Sequence, residues 1–162
     1  MTDTEYNHCI DKHADGVFRF VLKCINNRAL AQDVVQDCFE KMWLKRETID
    51  GLKAKSYLFS AAYHTLIDYQ RRESRWVEAK EMHIYDKATL SDCYSDLKEI
   101  LDQAVARLPD IQRSVVLLRD YEGYSYQEIG EITGLSESQV KVYIYRARIA
   151  LKNFIGSVET VL

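Results

Sequence analysis

Apolar side chains recur every three to four positions over most of the chain, the spacing that gathers them on one side of a helix. Ala14, Val17, Val21 and Cys24 or Ile25 mark a first helix, which Asn26-Asn27 interrupts. A second runs from about Ala29 to Lys45, with Ala31, Val34, Val35, Cys38 and Met42 on one side and Asp33, Gln36, Asp37 and Glu40 on the other. The stretch RETIDGLKAKS then reads as a loop around Gly51, and a third helix is expected from near Ser56, burying Leu58, Ala61, Ala62, Thr65 and Tyr69. Periodicity lapses over residues 76–96, where five acidic residues stand against two lysines, and this segment is expected to be a linker holding at most a helical turn. The pattern returns at Leu97, Ile100, Leu101, Ala104 and Leu108, and Pro109 suits the first turn of a new helix, where a missing N–H costs nothing. The predicted plan is all-α: two small helical domains over residues 1–75 and 97–162, joined by a flexible acidic linker over 76–96.

Residues 125–148, SYQEIGEITGLSESQVKVYIYRAR, carry the strongest local signals. Ser125 with Glu128, and Ser136 with Gln139, both have capping-box spacing, in which the serine oxygen takes an orphan N–H and the residue three ahead reaches back. Between the two helix starts, Gly134 suits the left-handed residue that ends the first helix, and Gly130 the small side of a close crossing. This is the grammar of a helix-turn-helix. In its second helix Val140, Ile144, Ala147, Leu151 and Phe154 form an inward stripe, while Ser136, Ser138, Gln139, Lys141, Val142, Tyr145, Arg146 and Arg148 are left for the other side. The early polar side chains of such a helix can reach base edges, and the later arginines can meet phosphate. The same spacing also fits an ordinary solvated hairpin of helices.

Charge sharpens this picture more than composition does. The 162 residues are 47% hydrophobic and 29% charged, with six Gly and one Pro, as in a folded helical protein. The formal net charge is −3, too acidic for a protein that coats nucleic acid by bulk attraction. The charge is unevenly spread, however. From Ser138 to Gly156 there are four basic residues and no acid, and from Lys53 to Arg75 five basic residues stand against two acids. Cys9, Cys24, Cys38 and Cys93 stand singly, which suits a reduced cytosol, and the polar N-terminus has the features of neither a signal peptide nor a membrane span.

At this point the residues resemble a known family, the bacterial sigma factors of the extracytoplasmic-function (ECF) group. Leu97 to Phe154 is similar to sigma domain four through Leu108-Pro109 and Arg113, Val115, Leu117, Leu118, Arg119, Gly123, Ser125-Tyr126, Glu128-Ile129, Gly134 to Glu137, Val140-Lys141 and Arg146-Ala147-Arg148. The resemblance implies that the second helix of the hairpin reads the minus-thirty-five promoter element. Gly130 stands where alanine is commoner in the family, a change expected to be harmless for packing and to loosen its helix by about 1 kcal/mol. Gln139, Val142 and Tyr143 also depart from the usual residues, so the preferred promoter sequence is expected to be this chain's own.

The first half carries an independent resemblance. Ala31, Asp33, Gln36, Asp37, Phe39 and Trp43 match the sigma domain-two helix that docks on the clamp coiled coil of the polymerase's largest subunit. The resemblance makes Asp33, Gln36, Asp37 and Glu40 a core-binding surface; read bare, they are a solubilising face. Tyr57-Leu58-Phe59, Ala62, Ile67-Asp68-Tyr69 and Arg71-Arg72 are similar to the helix that handles the minus-ten element. Rings alternating with arginines suit melted DNA, because bases stack on rings at about 1–3 kcal/mol each while phosphates meet the charges. Ser60, His64, Arg71 and Arg75 are expected to share the outer face of that helix, with Leu58, Ala62 and Tyr69 packed inward. Ile49, Lys53, Lys55, Tyr63 and Arg72 complete the minus-ten set, and the loop from Thr48 to Lys55 corresponds to one that receives a flipped base. His64 stands where the family commonly has Asn; it can donate to a base or phosphate, or be neutral.

Catalytic signatures are missing. There is no P-loop, no H-E-x-x-H and no glycine-flanked serine, so no enzyme, cofactor or metal is expected, and His8, Cys9 and His13 crowd one terminus without a distant fourth ligand. The implied partners are RNA polymerase core enzyme, promoter DNA and a separate anti-sigma protein, in the cytoplasm and with no membrane insertion. Two other readings remain open on the residues alone: a stand-alone helix-turn-helix regulator and a helical interaction module.

Overall fold

The computed structural model describes the backbone of residues 1–79 and 97–159 and the side chains of residues 1–73 and 97–157. Helix α1 spans Asp3–Ile25 and starts well before the apolar pattern at Ala14. Its beginning is fixed by a capping box: the Thr2 N–H donates to Glu5 Oε2 at 2.7 Å, and the Glu5 N–H donates to Thr2 Oγ1 at 3.2 Å. Its end is fixed by Asn26, left-handed at φ 48, whose N–H donates to the Leu22 carbonyl. Asn27 then caps α2 (Arg28–Leu44) by accepting from the Leu30 N–H at 3.1 Å. One Asn closes a helix and the next opens another, so the break forces a tight hairpin.

Asp50 caps a short 3₁₀ turn at Gly51–Lys53, which runs directly into α3 (Ala54–Ala79). Helix α3 therefore starts before Ser56 and continues past Arg75 into the stretch read as linker. The remaining linker positions, 80–96, lie outside the described residues. Val17, Phe20 and Val21 of α1, Ala31, Cys38 and Met42 of α2, and Leu58, Phe59, Ala62 and Leu66 of α3 close a three-helix core.

The second unit contains α4 (Leu97–Ala106), α5 (Asp110–Val116), α6 (Tyr126–Thr133) and α7 (Glu137–Glu159). Helix α5 passes into a wider π-type turn at Leu117–Tyr121, where the Glu122 N–H reaches back to the Leu117 carbonyl at 3.1 Å. Val115, Leu117, Leu118, Ile129, Ile132, Val140 and Ile144 are buried at its centre. Helix α7, at 23 residues, is one of the longer helices.

The two units meet along a seam. Phe59 of α3 lies 5.7 Å from the ring of Phe20 and 5.5 Å from that of Tyr124, joining the two cores through aromatic contacts worth about 0.5–1.5 kcal/mol each beyond burial. Ser60 Oγ donates to the Ile132 carbonyl of α6 at 3.1 Å. Lys23 pairs with Asp102 at 3.6 Å and lies over the Tyr121 ring.

Arg113 makes the densest connection. Its Nε donates to Val105 O, Nη1 to Cys24 O and Asp110 Oδ1, and Nη2 to Ala106 O and Leu108 O, at 2.7 to 3.2 Å. A guanidinium has five N–H groups, and all five are satisfied. Those carbonyls lie at or just beyond the C-terminal ends of α4 and α1, where partial negative charge collects. One side chain thus caps two helices and ties the units together.

Candidate nucleic-acid interface

The helix-turn-helix forms as its spacing predicts. The Ser125 N–H donates to Glu128 Oε2 at 2.9 Å, and the Glu128 N–H donates to Ser125 Oγ at 3.1 Å. The Ser136 N–H donates to Gln139 Oε1 at 3.0 Å, and the Gln139 N–H donates to Ser136 Oγ at 3.1 Å. Gly134 sits at φ 80. At Gly130, a Cβ would stand 2.9 Å from the Leu135 backbone oxygen, so the small side expected at this close crossing is needed there: the glycine is what lets α6 approach the turn.

Ser136, Ser138, Gln139, Lys141, Val142, Tyr145, Arg146 and Arg148 are all exposed, and Val140, Ile144 and Ala147 are buried behind them. The expected outer face of α7 is therefore real, but its cations differ. Arg148 is held by Asp120 of the π-type turn, Nε to Oδ2 at 3.1 Å and Nη2 to Oδ1 at 2.6 Å, and these hydrogen bonds raise its pKa. Lys141 pairs with Glu137 at 3.4 Å, one helical turn away. Among the described residues Arg146 has no acidic partner.

The α3 surface departs further from expectation. His64, Arg71 and Arg72 are exposed and Lys53 is exposed in the preceding turn, but Ser60 is turned from the predicted outer face toward α6 by its bond to Ile132. Tyr63 is only 3% exposed and Ile49 9%. Both were placed among the DNA-facing residues, yet their apolar bulk is used by the core. Lys55 is half-buried with its Nζ 4.7 Å from the centre of the Tyr124 ring. The Arg75 side chain lies outside the described ones. Of the proposed minus-ten set, then, Lys53, His64, Arg71 and Arg72 share open surface, and Ser60, Tyr63, Ile49 and Lys55 do not.

On α2, Asp33, Gln36 and Glu40 are exposed and Asp37 is half-exposed. Asp37 holds Lys41 at 2.8 Å, raising the lysine's pKa through the hydrogen bond. The four residues lie on one face, opposite the buried Ala31, Val34, Cys38 and Met42. Two residues that organise these surfaces were not singled out from the sequence. Arg113 was visible only as part of a motif, and Asp120, the partner of Arg148, carried no local signal.

Two family models match the chain: Sigma-70 region 2 over residues 9–76 and Sigma-70, region 4 over residues 98–151. Among curated relatives, the ECF RNA polymerase sigma factor SigM of Bacillus subtilis is 29% identical over 144 residues, covering 86% of this chain and 88% of the relative. The RNA polymerase sigma factor SigV of the same organism is 29% identical over 147 residues, covering 86% of this chain and 84% of its own. The sigma factor RpoE of Bartonella quintana, solved in complex with the anti-sigma factor NepR, superposes with a TM-score of 0.79 at 23% identity, covering 93% of this chain and 96% of that one. That likeness is one of fold.

Proposed function

The chain belongs to the sigma-70 family of RNA polymerase sigma factors, in the ECF group, and from that premise we propose how its surfaces divide the work of starting transcription. As a sigma factor it directs RNA polymerase to specific promoters. In our reading residues 1–75 dock on core enzyme and handle the minus-ten element, residues 97–162 read the minus-thirty-five element, and 76–96 connect them. Asp33, Gln36, Asp37 and Glu40 form the face that docks on the clamp coiled coil of the largest subunit. Arg146 and the start of α7 meet duplex DNA; Lys53, His64, Arg71 and Arg72 meet the minus-ten region.

The observation that carries this reading is that one chain presents an acidic face on α2 and an uncovered basic face on α7, each within its own matched region. Neither basic surface is strong. Arg146 and Lys152, the cations of α7 without an acidic partner among the described residues, supply little counterion release, so affinity for promoters is gained when polymerase holds both surfaces at once. In the closed arrangement Ser60 is turned against α6 and Tyr63 is buried, so contact of melted DNA with that part of α3 requires α6 to draw away. A separate anti-sigma protein has an evident target in that closed form. The protein acts in the cytoplasm, and it carries no catalytic activity of its own.

Run-off transcription with purified core enzyme tests the reading: the chain should confer promoter-specific transcripts while binding the same duplex weakly alone. Tight duplex binding without polymerase, with no effect on transcription, would point instead to a stand-alone regulator. Asp37→Arg should eliminate co-purification with core and leave the melting temperature within a few degrees of wild type, since the side chain is half-exposed. Retained co-purification would move docking off this face.

A further inference from the structure

The start of α7 has a pairing of chemistry that a solvated helix does not require. Gln139 already has work to do: the Ser136 N–H is a donor, so the carboxamide oxygen must face it, and does so at 3.0 Å. The amide nitrogen is the half left over, and among the described residues nothing accepts its protons. One turn further on, Val142 is 45% exposed, although a valine on an outer helical face contributes nothing to the core. These two side chains, with Ser138, Tyr143 and Arg146, line one shallow depression of about 220 Å³. The depression therefore has an apolar wall, an N–H donor at one edge and an uncommitted guanidinium at another.

We propose that this depression selects a thymine in the minus-thirty-five element, with Gln139 Nε2 donating to thymine O4 and Val142 packing on the C5-methyl group. The inference rests on the reading of α7 as the promoter-reading helix and adds the base that it recognises. Each base shows a distinct edge in the major groove, and only thymine sets an acceptor beside a methyl group. Cytosine would turn its N4 protons toward the Gln139 protons. Adenine could accept at N7 but would press an N6 donor against the valine. Guanine could accept but offers the valine no methyl. A free glutamine commonly pairs with adenine through both ends of its amide. The capping bond holds the oxygen on the Ser136 N–H and so disfavours the amide pose that a two-ended pair with adenine needs, and the residue that starts the helix also narrows what the helix can read. Arg146, in the same depression, supplies the charge that a phosphate beside that base would meet.

The test uses the full chain assembled with core polymerase. Duplexes with a randomised upstream element are selected for holoenzyme binding, and each thymine of the enriched sequence is then replaced singly by deoxyuracil, which keeps O4 and loses only the methyl. At one position the replacement should weaken binding about fourfold, the weight of one buried methyl group. Val142→Ser should bind the thymine and deoxyuracil duplexes equally at that position. Gln139→Glu retains a capping box, because glutamate serves there as well as glutamine, but presents an acceptor in place of the donor. It should shift the preference at the same base pair from thymine to cytosine. Indifference to every deoxyuracil, methyl sensitivity that persists in Val142→Ser, or an unchanged thymine preference in Gln139→Glu would each overturn the inference while leaving promoter reading intact. If the holoenzyme enriched no sequence, both would fall together.

Discussion

Helices α3 and α7 have similar ingredients, basic side chains set among aromatic rings, and the fold treats them in opposite ways. The face of α7 is open from Ser136 to Arg148, whereas α3 presents only part of its face and buries Tyr63 and turns Ser60 against α6. The difference teaches which contact with DNA needs rearrangement. Duplex DNA can reach α7 as the chain stands; a melted strand can use the covered part of α3 only after the seam between the units parts. What holds that seam sets the cost of engaging the minus-ten element.

The severest way to break the comparison is to remove Arg113. Arg113→Ala leaves the carbonyls of Cys24, Ala106 and Leu108 without their donor and that of Val105 with the Leu108 N–H alone, all at part-buried positions. Hydrogen bonds to a charged group are individually strong, and orphaned acceptors cost more than the bonds themselves contribute. A loss of about 3–5 kcal/mol is expected by urea unfolding. A loss below about 1 kcal/mol would show that the seam is held by its aromatic contacts, the Ser60 bond and the Lys23 pair without need of Arg113.

Gly134→Val acts within the helix-turn-helix and leaves the seam aside. A Cβ at Gly134 would meet nothing within 4 Å, so the cost is conformational only: φ 80 is a left-handed backbone that a β-branched residue resists. About 2 kcal/mol of stability should be lost, with the turn and α7 affected first in hydrogen exchange. Uniform loss of protection over both units would mean that they unfold as one.

These two positions also mark what could be read from the sequence. Gly134 and both capping boxes were legible because helix ends are local chemistry, decided by residues within four of each other. The inward stripe of α7 was legible for the same reason. The seam was not, because Ser60 meets Ile132, Phe59 meets Tyr124 and Arg113 meets Cys24 across long stretches of chain, and nothing in the spacing of either partner reveals the other. Hence Ser60 was expected outside with His64 and was found facing a neighbour. The early start of α1 was missed for a different reason: residues 3–13 are mostly polar, but the Thr2 and Glu5 pair that starts the helix was present in the sequence.

Ser60→Ala perturbs the seam more gently. It removes one donor to the Ile132 carbonyl, worth about 1 kcal/mol, and adds no clash. The thiol of Cys24, elsewhere on the seam, gives a readout: it is buried, with its pKa pushed up to about 12 by desolvation, and its sulfur faces Ser114 Oγ across the junction. Alkylation near neutral pH requires both exposure and the thiolate, so in the closed chain Cys24 should react far more slowly than a free cysteine. The rate should rise about fivefold in Ser60→Ala if the seam opens as a unit, because opening is then about 1 kcal/mol easier. An unchanged rate would mean that Cys24 is uncovered by a different motion.

The smallest effect on stability, and the finest test of the open face, concerns Arg148. Its ion pair with Asp120 is half-exposed on both sides, so Arg148→Ala should cost no more than about 1 kcal/mol. Its consequence for DNA is more telling, because a cation already held by a carboxylate releases no counterion when phosphate approaches. In salt titrations of holoenzyme on a fixed duplex, Arg146→Ala should flatten the slope of log K against log salt by about one unit, and Arg148→Ala by much less. Asp120→Ala frees Arg148 and should steepen the slope by up to about one unit. Equal flattening by the two arginine variants would mean that phosphate displaces Asp120 on binding, and that α7 engages DNA with Arg148 as well as Arg146.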